Sequence, residues 1–499
     1  MVRRSHTLIL IHLQNYIQRP LDGSEGRGAL GLGHRGATAL NLFFSFWSYV
    51  TPIVGATVAD QYLGKYKTIV LFCCVYMAGL FVLFVTSLPI SLDYGAGIGG
   101  FITAIILIGV GTGGIKSNVA PLIADQYTRH KMSLSSLPSG EKVIIDPSVT
   151  IQRIYMIFYA SINIGSLSLL ATPYMERDIG FWSAYLLCLC LFIFGTTILI
   201  LGRKSYVVRP PEGSVITNAF RAIGLMIRYR NQNAPKQSFL ESRGISQEVP
   251  WDDHFVAELQ RALTACRVFT IYPIYWLVYG QFSGNFVTQA GQMASHGIPN
   301  DLVQNFDPLA IILFVPLFDR VVYPWLRTHH IPFPPITRIT CGFLVASLAM
   351  FYAAFIQHRI YASPPCFASP LCPASQVNGV ATGNNVHILL QTPAYILIGV
   401  SEIFASVTGL EYAYTKAPPS MKSFVQAIFL LTNAVGAAMG EALTPLAYDP
   451  VMEWVFVGLG VGALGAGALF WLCFCGLNER EEEMNALDGD VLEDSDLAK

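Results

Sequence analysis

Eight stretches of this chain run for about twenty residues or more without a single Asp, Glu, Lys or Arg. They are Gly36–Ala59, Thr68–Leu92, Gly97–Ile115, Ile154–Met175, Ile179–Gly202, Val268–Asn300, Ile339–His358 and Trp454–Asn478. Three more are interrupted only by single charges or pairs: Asp307–Leu326 with Asp319 and Arg320, Val386–Thr415 with Glu402 and Glu411, and Ser423–Leu446 with Glu441. A helix of about 20 apolar residues crosses the hydrocarbon core of a bilayer, and only helices or closed barrels satisfy their backbone there. The pattern predicts an all-α polytopic membrane protein with eleven spans after residue 35. Charged residues make up 13% of the chain, about half the share of a soluble domain.

The N-terminal end reads differently. Thr7–Gln18 is apolar over about 18 Å of helix, too short to cross a core of about 30 Å. It reads as a shortened first helix. Loop charges then orient the spans. Lys and Arg number two in 60–67, three in 123–152, nine in 202–265 and two in 416–422. The alternate loops 89–96, 287–307 and 445–452 have none, and 173–180 and 357–385 have one each. The basic set is therefore expected on the cytoplasmic side. The segment 202–265 divides the spans into five plus a stub, then six, and its 252–268 part reads as helix. This gives an expected N-terminal bundle at 1–202, a cytoplasmic linker at 203–265, a C-terminal bundle at 266–478 and an acidic cytoplasmic tail at 479–499. Such a six-loop-six layout is that of the major facilitator fold, in which two six-helix bundles rock about a midplane site; here the first helix is truncated.

Charges at depth are expensive, about 2.5–3.5 kcal/mol on insertion scales, and point to function. Lys116 is the only charged residue between Asp93 and Asp125. It either faces a wet interior, or follows a span that ends at Ile115 and snorkels to the headgroups. Glu402 comes after sixteen uncharged residues from Val386 and must be protonated, paired or hydrated. One charge from each half suits a zwitterion with a free amine and a free carboxylate. Tyr159, Asn163, Trp276, Gln281 and Asn285 are further polar groups in apolar runs; each also fits an interhelical hydrogen bond or an interfacial ring.

Gly109, Gly111 and Gly114 fit G-x-G-x-x-G, as do Gly460, Gly462 and Gly465. Inside spans, close helix packing explains both copies better than a dinucleotide loop, which follows a strand. In GATVADQYLGKYKT (55–68), Asp60, Gly64 and Lys65 sit in a tight turn joining two spans, by itself a generic cytoplasmic turn; its pattern G-x-x-x-x-D-x-x-x-G-K resembles the loop after the second helix of facilitator proteins, which implies a gating hinge. Of the ten cysteines, Cys366 and Cys372 lie in a proline-rich loop predicted to face outward, where they could pair. No metal spacing, cofactor motif or nucleophile-base-acid set is present, and a net charge of −1 suggests no nucleic-acid partner.

The stretches GATVADQYLGKYKTIV, GTGGIKSNVAPLIADQY, IQRIYMIFYASINIGSLSL, WLVYGQFSGNFVTQAGQM, GIPNDLVQNFDPL and SEIFASVTGLEYAYTKAPPSMKSFVQ resemble the proton-dependent oligopeptide transporter family, most closely its fungal di- and tripeptide permeases. The resemblance covers roughly residues 14 to 487. It implies a twelve-helix plasma-membrane symporter that carries short peptides inward with protons. It also implies that Lys116 binds the peptide carboxylate and takes part in proton coupling, and that Glu402 holds the peptide amino terminus. Tyr49, Tyr159, Asn163 and Trp276 then line the site. Asp307 falls where many relatives have asparagine, and Leu42 where animal relatives have histidine. The family's first-helix motif E-x-x-E-R-F-x-Y-Y has no counterpart in MVRRSHTLILIHL before Gln14. Either the sequence starts late or normal coupling is missing. A non-transporting sensor or binding relative, and a facilitator for nitrate or modified amino acids, stand as alternatives.

Overall fold

The computed structural model describes residues 16–17, 29–127, 133–136, 142–145, 147–166, 172, 175–176, 179–208, 210–211, 215–243, 249–294, 300–370, 372, 374, 376–377, 380–381, 383–418, 421–446 and 448–479. The shortened helix at Thr7–Gln18, apart from Tyr16 and Ile17, and the tail beyond Glu479 lie outside them.

The principal helices are α1 (Gly33–Val58), α2 (Lys65–Thr86), α3 (Gly97–Ala124), α4 (Pro147–Ser166), α5 (Phe181–Leu201), α6 (Val215–Tyr229) and α7 (Asp253–Arg267). There follow α8 (Tyr272–Tyr279), α9 (Asn285–Gly291), α10 (Phe306–Leu317), α11 (Pro335–Tyr361), α12 (Thr392–Glu402), α13 (Thr408–Thr415), α14 (Lys422–Leu443) and α15 (Met452–Phe474). Among the described residues, eight helical runs are long and apolar enough to cross a membrane. Of the other three predicted spans, Gly36–Ala59 falls on α1, the Ile154–Ser166 part of Ile154–Met175 falls on α4, and Ser423–Leu446 falls on α14 and the 3₁₀ turn after it. The linker helix expected at 252–268 is α7, and the Asp252 carboxylate accepts from the Phe255 N–H at its start.

Within the span expected at Val268–Asn300, the helical run is divided into α8 and α9, with 3₁₀ turns at Val268–Ile271 and Gly280–Ser283. Pro273 sits in the first turn of α8, where its missing N–H costs nothing, and Gly284 (φ −114°, ψ −92°) leaves helical geometry. Ile115 is not a helix end, since α3 runs on to Ala124, eight residues or about 12 Å past Lys116.

Contacts divide the chain into two compact units that interleave along the sequence. The first comprises 1–128, 171–269 and 412–434; the second comprises 129–170, 270–411 and 435–499. In the first, glycines let α3 sit against α1 and α2. A Cβ at Gly55 would lie 2.5 Å from the Gly114 Cα, and one at Gly114 would lie 2.1 Å from the Phe72 ring. Gly109 and Gly111 meet Trp47 and Tyr76 as closely. Thr51 donates its hydroxyl to the Gly109 carbonyl at 2.8 Å, and Asn118 donates to the Gly55 carbonyl at 3.2 Å. Close packing is thus what the first glycine motif does. The second copy behaves differently: Gly460 touches the Phe351 ring, while Gly462 and Gly465 have nothing within 4 Å.

In the second unit α11 packs on α12 and α15. Gly342 lies against Ala405, Phe343 and Phe470 rings stand 5.7 Å apart, and the Ser347 hydroxyl reaches the Gly460 carbonyl at 2.7 Å. Cys366 and Cys372 are joined by a disulfide. Asn384 organises their loop, accepting from the Cys366 N–H and donating to the carbonyls of Phe367 and Ile360.

Candidate functional site

In the first unit, α3 carries Lys116 into a buried position, 8% exposed, which excludes snorkelling. Its ammonium lies over the Tyr49 ring of α1, 4.2 Å from the centroid. The negative face of an aromatic ring compensates a desolvated cation. The approach depends on the glycines, because Gly113 and Gly114 on α3 and Gly55 on α1 allow the two backbones to touch.

The hinge expected from Asp60, Gly64 and Lys65 lies at the end of α1. A π-helical turn, Ala59–Leu63, holds Asp60 at 8% exposure, and Gly64 follows with φ +74°, where a side chain would be strained. That turn points Lys65 at Asp125, just past α3, with a 2.6 Å ion pair. Asp125 also accepts from the Tyr414 hydroxyl at 2.9 Å, and the Lys422 ammonium covers the Tyr414 ring at 4.0 Å. Burial pushes the Asp125 carboxyl up, but the Lys65 and Lys422 charges with the Lys65 and Tyr414 hydrogen bonds outweigh it. The group is held below its ordinary value. Sequence reasoning missed Asp125, Tyr414 and Lys422; the one signal was an acid closing an apolar run.

In the second unit, Glu402 ends α12 where a π-helical turn, Ile403–Val407, begins. Its carboxylate is 3% exposed. Tyr159 of α4 donates its hydroxyl to Oε1, and Tyr279 of α8 donates to the same oxygen at 3.0 Å. With its proton committed there, the Tyr159 oxygen accepts from Ser406, 2.8 Å away on the π turn. Asn163 lies one turn along α4, fully buried, and donates to the Tyr159 carbonyl at 2.9 Å. Trp276 meets this group through Tyr279, edge-on with ring centroids 5.6 Å apart. Tyr275 stacks on Tyr279 at 6.2 Å. Neither Tyr279 nor Ser406 stands out in the sequence, since a tyrosine among apolar residues reads as packing.

Glu411, nine residues on, forms a separate pair. Arg338 grips it bidentately at 2.9 and 3.0 Å, with both side chains buried. This accounts for two charges that the sequence left unassigned. Among the described residues no cluster of His, Cys, Asp and Glu could hold a metal ion.

The two charged centres thus belong to different units. One presents a cation on an aromatic face, and the other an anion held by tyrosine hydroxyls. Each such group can bind an opposite charge and release it without covalent chemistry.

The model of the POT family, PTR2, matches residues 66–458. Peptide transporter PTR_B of Candidozyma auris is 51% identical over 95% of this chain and 80% of its own length. Peptide transporter PTR2 of Saccharomyces cerevisiae is 48% identical over 97% of this chain and 78% of its own length. Among solved structures, that of the POT family transporter PepTSo superposes with a TM-score of 0.65 at 20% identity, covering 96% of each chain. An auto-inhibited POT family peptide transporter gives 0.63 at 21% identity, over 96% of this chain and 94% of the other. The fold is therefore the all-helical, multi-span transporter fold of those proteins.

Proposed function

The chain belongs to the POT family, and from that premise we propose that it imports di- and tripeptides across the plasma membrane in symport with protons, its C-terminus in the cytoplasm. Relatives about half identical to it are peptide transporters, which supports the substrate class. The observation that carries the reading is the Glu402 carboxylate, buried in a membrane helix and met by the hydroxyls of Tyr159 and Tyr279.

A peptide amino terminus is an ammonium with three donors and no acceptor. Glu402 supplies the complementary acceptor. The two phenols hold its charge until the amine arrives, and a hydroxyl can then turn to accept from that amine. Lys116 supplies the cation for the peptide carboxylate, and as a buried group it is suited to exchange a proton during the cycle. Asn163 and Trp276 position Tyr159 and Tyr279, and Tyr49 positions Lys116. Asp60, Gly64 and Lys65, with Asp125, form the hinge and latch of a gate.

The test is uptake of a labelled dipeptide by proteoliposomes with an inward proton gradient. Accumulation against the peptide gradient, abolished by a protonophore, is expected. Binding without accumulation would assign the chain to the sensor class. Accumulation of nitrate in place of peptide would overturn the substrate.

A further inference from the structure

One cavity has neither Lys116 nor Glu402 in its lining. It has a volume of about 330 Å³ and is lined by Gln152 and Arg153 at the start of α4, and by Asp319, Arg320, Tyr323 and Arg327 on the turns that follow α10. All belong to the second unit. Three guanidiniums against one carboxylate leave this small space with two net positive charges. Asp319 is occupied by Arg153, Nε to Oδ2 at 3.2 Å. Arg327 donates to the Gln152 amide oxygen at 3.3 Å, a neutral partner. Among the described residues neither Arg320 nor Arg327 has an acidic partner. Two exposed guanidiniums brought together on one wall repel each other unless an anion joins them, and the planar fork of arginine fits phosphate oxygens.

The adjoining surface narrows the choice of anion. Leu313, Leu317, Val321 and Trp325 recur every four residues along the same helical run, and all are exposed. In a membrane protein such a stripe faces acyl chains. Trp325 lies near the end of the run that carries Arg327, and exposed indoles at the ends of spans collect at the headgroup level. An apolar stripe thus runs up to a basic cavity of headgroup size.

We infer that this cavity binds the phosphate of an anionic phospholipid, with Arg320 and Arg327 on the phosphate and the acyl chains along Leu313, Leu317, Val321 and Trp325. On the loop-charge orientation given above, which this inference shares with the proposed topology, this end faces the cytoplasmic leaflet. That leaflet carries the anionic lipids, and basic pockets between spans hold their headgroups. Arg153 is the ion-pair partner that keeps the Asp319 carboxylate from repelling the lipid.

The experiment is native mass spectrometry of the purified full-length chain in detergent, titrated with phosphatidylinositol phosphate, phosphatidylcholine or inorganic phosphate. Wild type is expected to retain the anionic lipid selectively. Arg320→Gln with Arg327→Gln is expected to weaken that retention about 30-fold, from two charges near the surface. Asp319→Asn should strengthen it, so a gain of binding checks the site even if the double variant folds poorly. Selectivity unchanged in the double variant overturns the site. Inorganic phosphate competing as well as the lipid overturns the lipid assignment in favour of a free anion. The readout does not involve peptide, so failure here leaves the transport reading untouched, and failure of transport leaves this site standing.

Discussion

The Tyr279 hydroxyl donates to Glu402 Oε1 at 3.0 Å, on the oxygen that also receives the Tyr159 hydroxyl. Two neutral donors therefore converge on one oxygen of a buried carboxylate. Each of these hydroxyls can be displaced singly by an incoming amine, whereas Arg338 holds Glu411 through two hydrogen bonds at once.

Glu402→Gln keeps the size and the hydrogen-bonding shape but removes the charge. Peptide uptake should fall about 30-fold or more, as when one member of a desolvated charge pair is lost, with surface expression intact. Undiminished uptake at both low and saturating peptide would sink the role.

Tyr279→Phe removes one donor and keeps the ring that Trp276 and Tyr275 pack against. The apparent Km for a free-amine dipeptide should rise about tenfold, the worth of one hydrogen bond to a charged group. Uptake kinetics across a peptide series read this directly. A fall in expression with Km unchanged would make Tyr279 a packing residue only.

Tyr49→Phe preserves the ring face under Lys116, and Tyr49→Leu removes it. The phenylalanine variant should transport near wild-type rates, whereas the leucine variant should lose a contact worth about 0.5–2 kcal/mol. Equal impairment of the two would show that the hydroxyl, and not the ring face, matters.

Gly55→Ala places a methyl 2.5 Å from the Gly114 backbone, while Gly462→Ala meets nothing within 4 Å. The first should destabilise by about 1–3 kcal/mol, and the second should stay within about 0.5 kcal/mol. Thermal unfolding in detergent compares them. Similar midpoints would contradict the close approach of α1 and α3.

The Lys65–Asp125 pair depends on pH in one direction. Because the folded state lowers the Asp125 value, its contribution is complete above the ordinary carboxylate value near 4 and is lost as pH falls through the lower folded value. Asp125→Asn should therefore cost about 3 kcal/mol at pH 7, and the gap to wild type should close under strong acid. Melting curves from pH 7 down to 3 test this; a gap that widens on acidification would reverse the sign.

How much was legible in the sequence follows from which forces act locally. Charge-free runs marked the spans because hydrocarbon excludes charge one residue at a time. Lys116 and Glu402 stood out for the same reason, and Asp60-Gly64-Lys65 did so because a positive φ needs glycine. Pairing does not work that way. Tyr279, Ser406, Asp125, Tyr414 and Lys422 look ordinary in sequence, and each acquired a partner only when elements distant in the chain packed together. Tyr159 meets Glu402 across 243 residues, and Tyr414 meets Asp125 across 289. The same distinction separates the two copies of G-x-G-x-x-G, of which only the first has all three glycines closely packed against neighbours. The sequence alone determined where the chain enters the membrane and which charges it carries there, since burial cost belongs to the single residue. Which groups hold those charges was decided by tertiary structure, because a hydrogen bond or cation–π contact requires two groups at one distance and angle.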